Sequence, residues 1–265
     1  MRRRLFAQFC AAVVLCLAAA ASAAAQDFQK SYQVGPEGSL RIENVSGNVN
    51  LVGHDGGGVT VAVYKEGRDR DSVEVEDLSA GGRIHLRARY PENCRNCNAG
   101  LRFEVRVPRA GLNVEKVSTA SGDITAADFA GRIQLNTASG DITLRNVSGE
   151  INVATASGQL KVTNATGTVS AASASGDVEV EIARLEGAGD LKFTSASGDV
   201  HVRLPNNLDA RVSLATASGN IETDFPIEVK KQEYGPGTTA RGQLGSGARS
   251  LRIATASGDV SLKSL

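Results

Sequence analysis

The chain has no tryptophan, a single methionine and only 4% aromatic residues in 265 positions. A core without large rings must be thin and built from small and aliphatic side chains, which suits stacked β-strands better than a helical bundle. Net charge is missing too, because 29 basic side chains balance 29 acidic ones. No general attraction to nucleic acid or anionic membrane follows from that balance, and nucleic acid is excluded as the main partner. Histidine is scarce, with His54, His85 and His201 scattered along the chain. A zinc site or a histidine-based hydrolase has no cluster to draw on, and no serine sits in a nucleophile-elbow pattern. No catalytic, cofactor-binding or metal-ligating set is expected. Disorder is excluded in turn by the 41% hydrophobic content.

A long apolar run occurs only at the start. Arg2, Arg3 and Arg4 precede an apolar stretch from Leu5 to Leu17, and Ala23-Ala24-Ala25 stands before Gln26-Asp27. These are the parts of a secretory signal peptide over residues 1–25, too short for a membrane span. The expectation is export to the periplasm, cell surface or medium, with no transmembrane span after cleavage. Cys16 lacks the small preceding residue of a lipoprotein, so no lipid anchor is expected. Removal of Cys10 and Cys16 with the signal leaves Cys94 and Cys97. In an oxidising compartment this CxxC reads as a local disulfide; a zinc site lacks further ligands and a redox pair lacks its helix.

What the chain has in abundance is one phrase. Thr119-Ala-Ser-Gly-Asp-Ile124 recurs from Thr137, Thr155, Ser173, Ser195, Thr216 and Thr255, and the first four copies are spaced by 18 residues. Weaker copies at Asp128–Ile133, Asn146–Ile151 and Asn164–Val169 lie midway, giving a half-period of nine. Each unit reads as a small-residue turn containing Gly followed by a strand with alternating apolar positions, such as Ile142 and Leu144. So short a unit cannot bury its apolar face alone and must stack on its neighbours. The predicted fold is all-β: a parallel β-helix-like solenoid of 18-residue coils about 4.8 Å apart, preceded by irregular strands. Its turn residues are Gly122, Asp123, Gly140, Asp141, Gly158, Gly176, Asp177, Gly198, Asp199, Gly219, Gly258 and Asp259.

Spacing relaxes after the fourth copy, consistent with insertions at 185–189 and 205–208. Residues 222–254 read as a hairpin-like excursion, around Tyr234-Gly-Pro-Gly237, that covers the C-terminal edge before a final coil. Upstream, strands are expected at 40–43, 48–52, 59–64, 73–76, 83–90 and 101–107. The division is therefore an N-terminal strand region, 26–116, leading into a repeat region, 117–265. The boundary is soft, because Asn44-Val-Ser-Gly-Asn-Val49 resembles the weaker copy and the solenoid can begin near residue 40.

The stacked aspartates invite calcium, as in nonapeptide β-rolls, but this pattern has one glycine per unit, and Gln159 and Asn220 replace the acid. A local turn-stabilising acceptor is the simpler role. Arg83, Arg87 and Arg89 share one strand face, and Arg102 and Arg106 share another. If these strands pair, they form a basic ligand patch for an acidic glycan or lipid headgroup, unless Glu74, Glu76 and Glu104 neutralise it. His54-Asp55-Gly56-Gly57-Gly58 lacks the lysine and helix of a phosphate loop and reads as a hairpin turn.

The repeated Ser-Gly-Asp-Ile/Val phrase, entered through Val105-Arg-Val-Pro108 and closed by Leu244-Gly-Ser-Gly-Ala-Arg-Ser-Leu-Arg-Ile-Ala-Thr-Ala-Ser-Gly-Asp-Val260, resembles a bacterial family of unknown function described as adhesins with β-strand repeats. It is similar to the head domains of auto-transporter adhesins. The resemblance spans residues 28–265 and implies a β-solenoid, export and an adhesive or envelope role, with no catalytic residues to carry over. The expected function is non-enzymatic: an adhesin or glycan-binding structural module whose partner is a surface glycan or an envelope protein. Alternatives are a scaffold or sensory protein working with membrane partners, and a glycan-active β-helix enzyme.

Overall fold

The computed structural model describes residues 26–265 except 36, 93, 95, 96, 188 and 232–235. The segment 1–25 expected to be a signal peptide, with Cys10 and Cys16, and the tip of the expected excursion around Tyr234 lie outside the described residues.

Among the described residues there are twenty strands. β1 to β8 are Phe28–Gln33, Gly38–Glu43, Val49–His54, Gly58–Glu66, Glu74–Asp77, Arg83–Arg89, Gly100–Pro108 and Leu112–Ser121. The long strands β9, β10 and β11 are Ile124–Ser139, Ile142–Ser157 and Leu160–Ser175. β12 to β16 are Val178–Arg184, Leu191–Ser197, Val200–Leu204, Ala210–Ser218 and Ile221–Thr223. β17 to β20 are Val229–Lys231, Thr238–Leu244, Arg249–Ser257 and Val260–Ser264. Among the described residues no helix is long and apolar enough to cross a membrane.

The strands wind into a β-solenoid with two ladders. The first runs β1-β4-β7-β3, through the first halves of β9, β10 and β11, to β12-β14-β20-β16. The second runs β5-β6-β2-β8, through the second halves of the long strands, to β13-β19-β15-β18-β17. Strands within the coils stack in parallel, and the antiparallel partners are added at the ends. Alternate side chains point inward, so Ile124, Ile142, Leu160, Val178, Val200 and Val260 form one buried column. Columns of aliphatic side chains fill the narrow space between the two ladders, and few aromatic residues are needed to complete the core.

Coil order departs from chain order at both ends. The coil of β2 and β3 lies between that of β6 and β7 and that of β8 and β9. The coil of β19 and β20 lies between β13/β14 and β15/β16. The expected final coil is thus internal, and the C-terminal end consists of β16 with the β17–β18 hairpin, whose β18 runs antiparallel along β15. In chain order the solenoid begins with residues 38–54, whose Ser46 bridges Ser121, while in the stack the coil of β6 and β7 comes first.

Candidate functional site

The repeat phrase accounts for its own conservation of residue type along the chain. Its threonine or serine is buried, and the hydroxyl donates to the carbonyl of the turn glycine in the adjoining coil. Thr137 reaches Gly122 O at 3.1 Å, Thr155 Gly140 O at 3.1 Å, Ser195 Gly176 O at 3.0 Å and Thr255 Gly198 O at 2.9 Å. The glycine is required by that approach: at Gly176, with φ +145°, a Cβ would overlap the carbonyl of Gly158. The following acid then accepts the next coil's amide. Asp141 N–H donates to Asp123 Oδ1 at 2.9 Å, and Asp199 N–H to Asp177 Oδ1 at 2.9 Å. The aspartates therefore act between coils rather than within one turn. Asn48 begins this column, accepting from Asp123 N–H at 2.9 Å, and Asn220 ends it by donating its N–H to Asp259 Oδ1 at 2.7 Å. An amide oxygen is acceptor enough at that position. Among the described residues no group of three histidine, cysteine or acidic side chains is arranged to hold a metal.

The weaker copies build the opposite corner by other means. Asp128, Asn146 and Asn164 adopt φ of +58°, +54° and +53°, a left-handed geometry that short polar side chains tolerate. Asn146 Nδ2 donates to Asp128 Oδ1 at 2.9 Å and Asn164 Nδ2 to Asn146 Oδ1 at 2.8 Å. Cys94 and Cys97 are joined as a disulfide with Cα atoms 5.4 Å apart.

The condition for a joint arginine patch is not met. β6, which carries Arg83, Arg87 and Arg89, pairs with β2 and β5, whereas β7, which carries Arg102 and Arg106, pairs with β3 and β4. The two sets lie in different ladders, and much of their charge is spent. Arg87 binds Glu76 at 2.7 Å, and that hydrogen bond holds the Glu76 carboxyl below its ordinary range. Arg102 binds Glu66 at 2.7 Å and Glu104 at 2.9 Å, with its guanidinium 4.2 Å from the centre of the Tyr64 ring.

One side of this arrangement is open. The outward faces of β1, β4, β7 and β3 enclose a concavity of about 780 Å³ lined in part by Gln29, Asn50, His54, Tyr64, Arg102 and Arg106. Its polar groups are held in place: Asn50 Nδ2 donates to Glu104 Oε2 at 3.0 Å and Asn50 Oδ1 accepts from Thr125 Oγ1 at 2.8 Å. His54 has both ring nitrogens engaged, Nε2 with Gly58 O and Nδ1 with Gly56 N–H, each at 2.9 Å. That histidine shapes the β3–β4 turn. The turn is not a hairpin, because β7 lies between β3 and β4. Arg106 is exposed, flanked by Thr60 and Val52 on the neighbouring strands, and pairs with no carboxylate among the described residues. Sequence reading singled out Arg102 and Arg106 but not Tyr64, Asn50 and Gln29, whose grouping depends on β7 lying between strands that precede it.

The profile of the family described as Toastrack DUF4097 matches residues 30–263. No curated protein matches the chain. Among solved structures, a "putative cell adhesion protein" from Clostridium sporogenes ATCC 15579 is similar at 12% identity, over 90% of this chain and 99% of that one, with a TM-score of 0.35. A "putative adhesin" from Bacteroides fragilis NCTC 9343 is similar at 10% identity, over 90% and 96% of the two chains, with a TM-score of 0.43.

Proposed function

The chain belongs to the Toastrack DUF4097 family, and from that premise we propose that it is an exported, non-enzymatic module of the cell envelope that binds a glycan through its outer strand faces. The observation that carries this reading is the division of labour among polar side chains. Those of the repeat phrase are spent on inter-coil hydrogen bonds. Those of the concavity over β1, β4, β7 and β3 are outward and pre-positioned, with Arg106 uncommitted. Fixed amide, hydroxyl and guanidinium groups around an open hollow suit sugar hydroxyls, which need several directional partners and little apolar burial.

Binding of residues 26–265 to an array of bacterial and host glycans tests the reading. Saturable binding that Asn50→Ala and Arg106→Ala each weaken is the expected result. A silent array, together with one specific protein captured from envelope extract, would replace it with the scaffold alternative.

A further inference from the structure

The insertion of β19 between β13 and β15 assembles a surface that no stretch of sequence contains. Lys192 on β13 is the register partner of Arg252 on β19, Arg252 of Ser213 on β15, and Ser213 of Arg241 on β18. All point outward, and Lys192, Arg252 and Arg241 are exposed. Arg211, also exposed, lies two residues before Ser213 on the same face of β15. At ~4.8 Å per strand the row crosses four strands in about 14 Å.

The nearby acids are ion-paired or hydrogen-bonded elsewhere, Glu150 with Arg132 at 3.2 Å among them. Glu186 pairs with Arg184, Glu228 with Lys230, and Glu222 and Asp224 with Lys263. Asp190 accepts from Ser250 N–H at 2.8 Å, and Asp209 from Ala248 N–H at 3.0 Å and Gly247 N–H at 2.6 Å. The four cations have no carboxylate within ion-pair distance among the described residues. In a chain of zero net charge that is a local concentration of one sign.

We propose that this row is a docking surface for a linear polysaccharide carrying carboxylate or sulfate groups. The shape of the row selects the polymer. It is narrow: on one flank the parallel row holds only the small side chains Thr194, Ala254, Ala215 and Thr239, and on the other Arg211 stands beside Ser250 and Gln243. A straight chain can therefore lie across the strands and meet successive cations. Stacking of nucleic-acid bases needs exposed rings, whereas Phe193 and Phe225, the described aromatics of this half, are buried. Insertion into a lipid surface needs large exposed apolar groups, and the row carries none. Hydroxyls of Ser213, Thr194 and Thr239 add directional partners for sugar oxygens.

This surface goes beyond the concavity, shares no residue with it and lies in the other ladder, so loss at one leaves the readout at the other intact. The test is binding of the mature chain to polygalacturonate by calorimetry, with neutral dextran and anionic phospholipid vesicles alongside. The expected result is saturable binding to polygalacturonate alone. It should weaken with added salt as exposed charges are screened, and by at least about tenfold in Arg252→Glu and in Lys192→Glu. Arg252→Gln paired with Lys192→Gln should weaken it as well, a milder change that keeps the result readable if charge reversal impairs folding. Arg203→Gln, at an exposed position on β14 in the other ladder, should leave it unchanged. Absence of binding by the wild-type chain, equal binding to neutral dextran, binding to vesicles in place of polygalacturonate, or full binding by the folded double variant would each overturn the proposal.

Discussion

The backbone N–H of Asp259 donates to Oδ1 of Asp199 at 2.7 Å across 60 residues of chain, in the same step that joins Asp141 to Asp123 across 18. The geometry of stacking is constant while the order in the chain is not. The last coil enters a slot whose walls, β13/β14 and β15/β16, are both made before it.

Truncation after Gly247 should therefore do more than shorten the rod. It removes Leu251, Ile253, Val260 and Leu262, each at most 1% exposed, and each such side chain contributes about 1.5–3 kcal/mol on burial. It also leaves unpaired edges on both sides of the gap. The expected outcome is a shortened protein that aggregates or melts well below the full chain. A synthetic peptide of residues 248–265 added during refolding should restore a single cooperative transition. Thermal unfolding and size-exclusion chromatography check both arms.

The turn glycines differ in what they must avoid. Gly176→Ala places a Cβ on the carbonyl of Gly158 at φ +145°, and both overlap and backbone strain should cost at least about 1–3 kcal/mol. Gly57 has nothing within 4 Å of the same added carbon, so Gly57→Ala should stay within about 0.5 kcal/mol of wild type. Urea melts of the two variants side by side decide this, and equal losses would refute the close-approach explanation.

Much of this was legible from sequence. Strands expected at 40–43, 59–64 and 83–90 correspond to β2, β4 and β6, because alternation of buried and exposed residues is a local property. Coil order was not legible, for the reason that made the fold so: every repeat presents a Thr or Ser, a Gly and, in most copies, an Asp to its neighbour, so the phrase does not distinguish one neighbour from another. The arginine patch failed in the same way. Outward direction of Arg87 and Arg102 follows from period-two alternation, but which strands lie beside them depends on the order of coils. The row through Lys192 and Arg252 was invisible on that account.

Asp141→Asn and Asp141→Ala separate the two roles a stacked carboxylate can have. Asp141 Oδ1 accepts from Gln159 N–H at 2.8 Å, and an asparagine oxygen accepts equally well, as Asn48 does for Asp123. Asn should therefore match or slightly exceed wild-type stability by removing repulsion within the column. Ala, which leaves the Gln159 amide without that partner, should cost about 0.5–1.5 kcal/mol. Denaturant midpoints measure the difference, and a loss as large for Asn as for Ala would mean that the negative charge itself is needed.

One carboxylate joins the two ladders at the N-terminal end, and stability there should depend on pH accordingly. Asp77 on β5 accepts from Lys30 Nζ at 2.6 Å and Tyr32 Oη at 2.9 Å, both on β1, and from Ser79 N–H at 3.0 Å, so it links the two ladders where they begin. Burial alone would raise its pKa, but the hydrogen bonds from Lys30, Ser79 and Tyr32 outweigh it and hold the carboxyl well below the usual range. Burial and the facing Asp77 together push the Tyr32 phenol up. A depressed folded-state pKa stabilises the protein above the unfolded carboxylate value of about 3.9, and the contribution fades as pH falls toward the folded value. Asp77→Asn should thus lose stability at neutral pH and expose the β1 amides to faster hydrogen exchange. Its deficit against wild type should shrink steadily once the pH drops below about 4. A deficit that stayed constant down to about pH 2 would show that the site needs the shape of the side chain and not its charge.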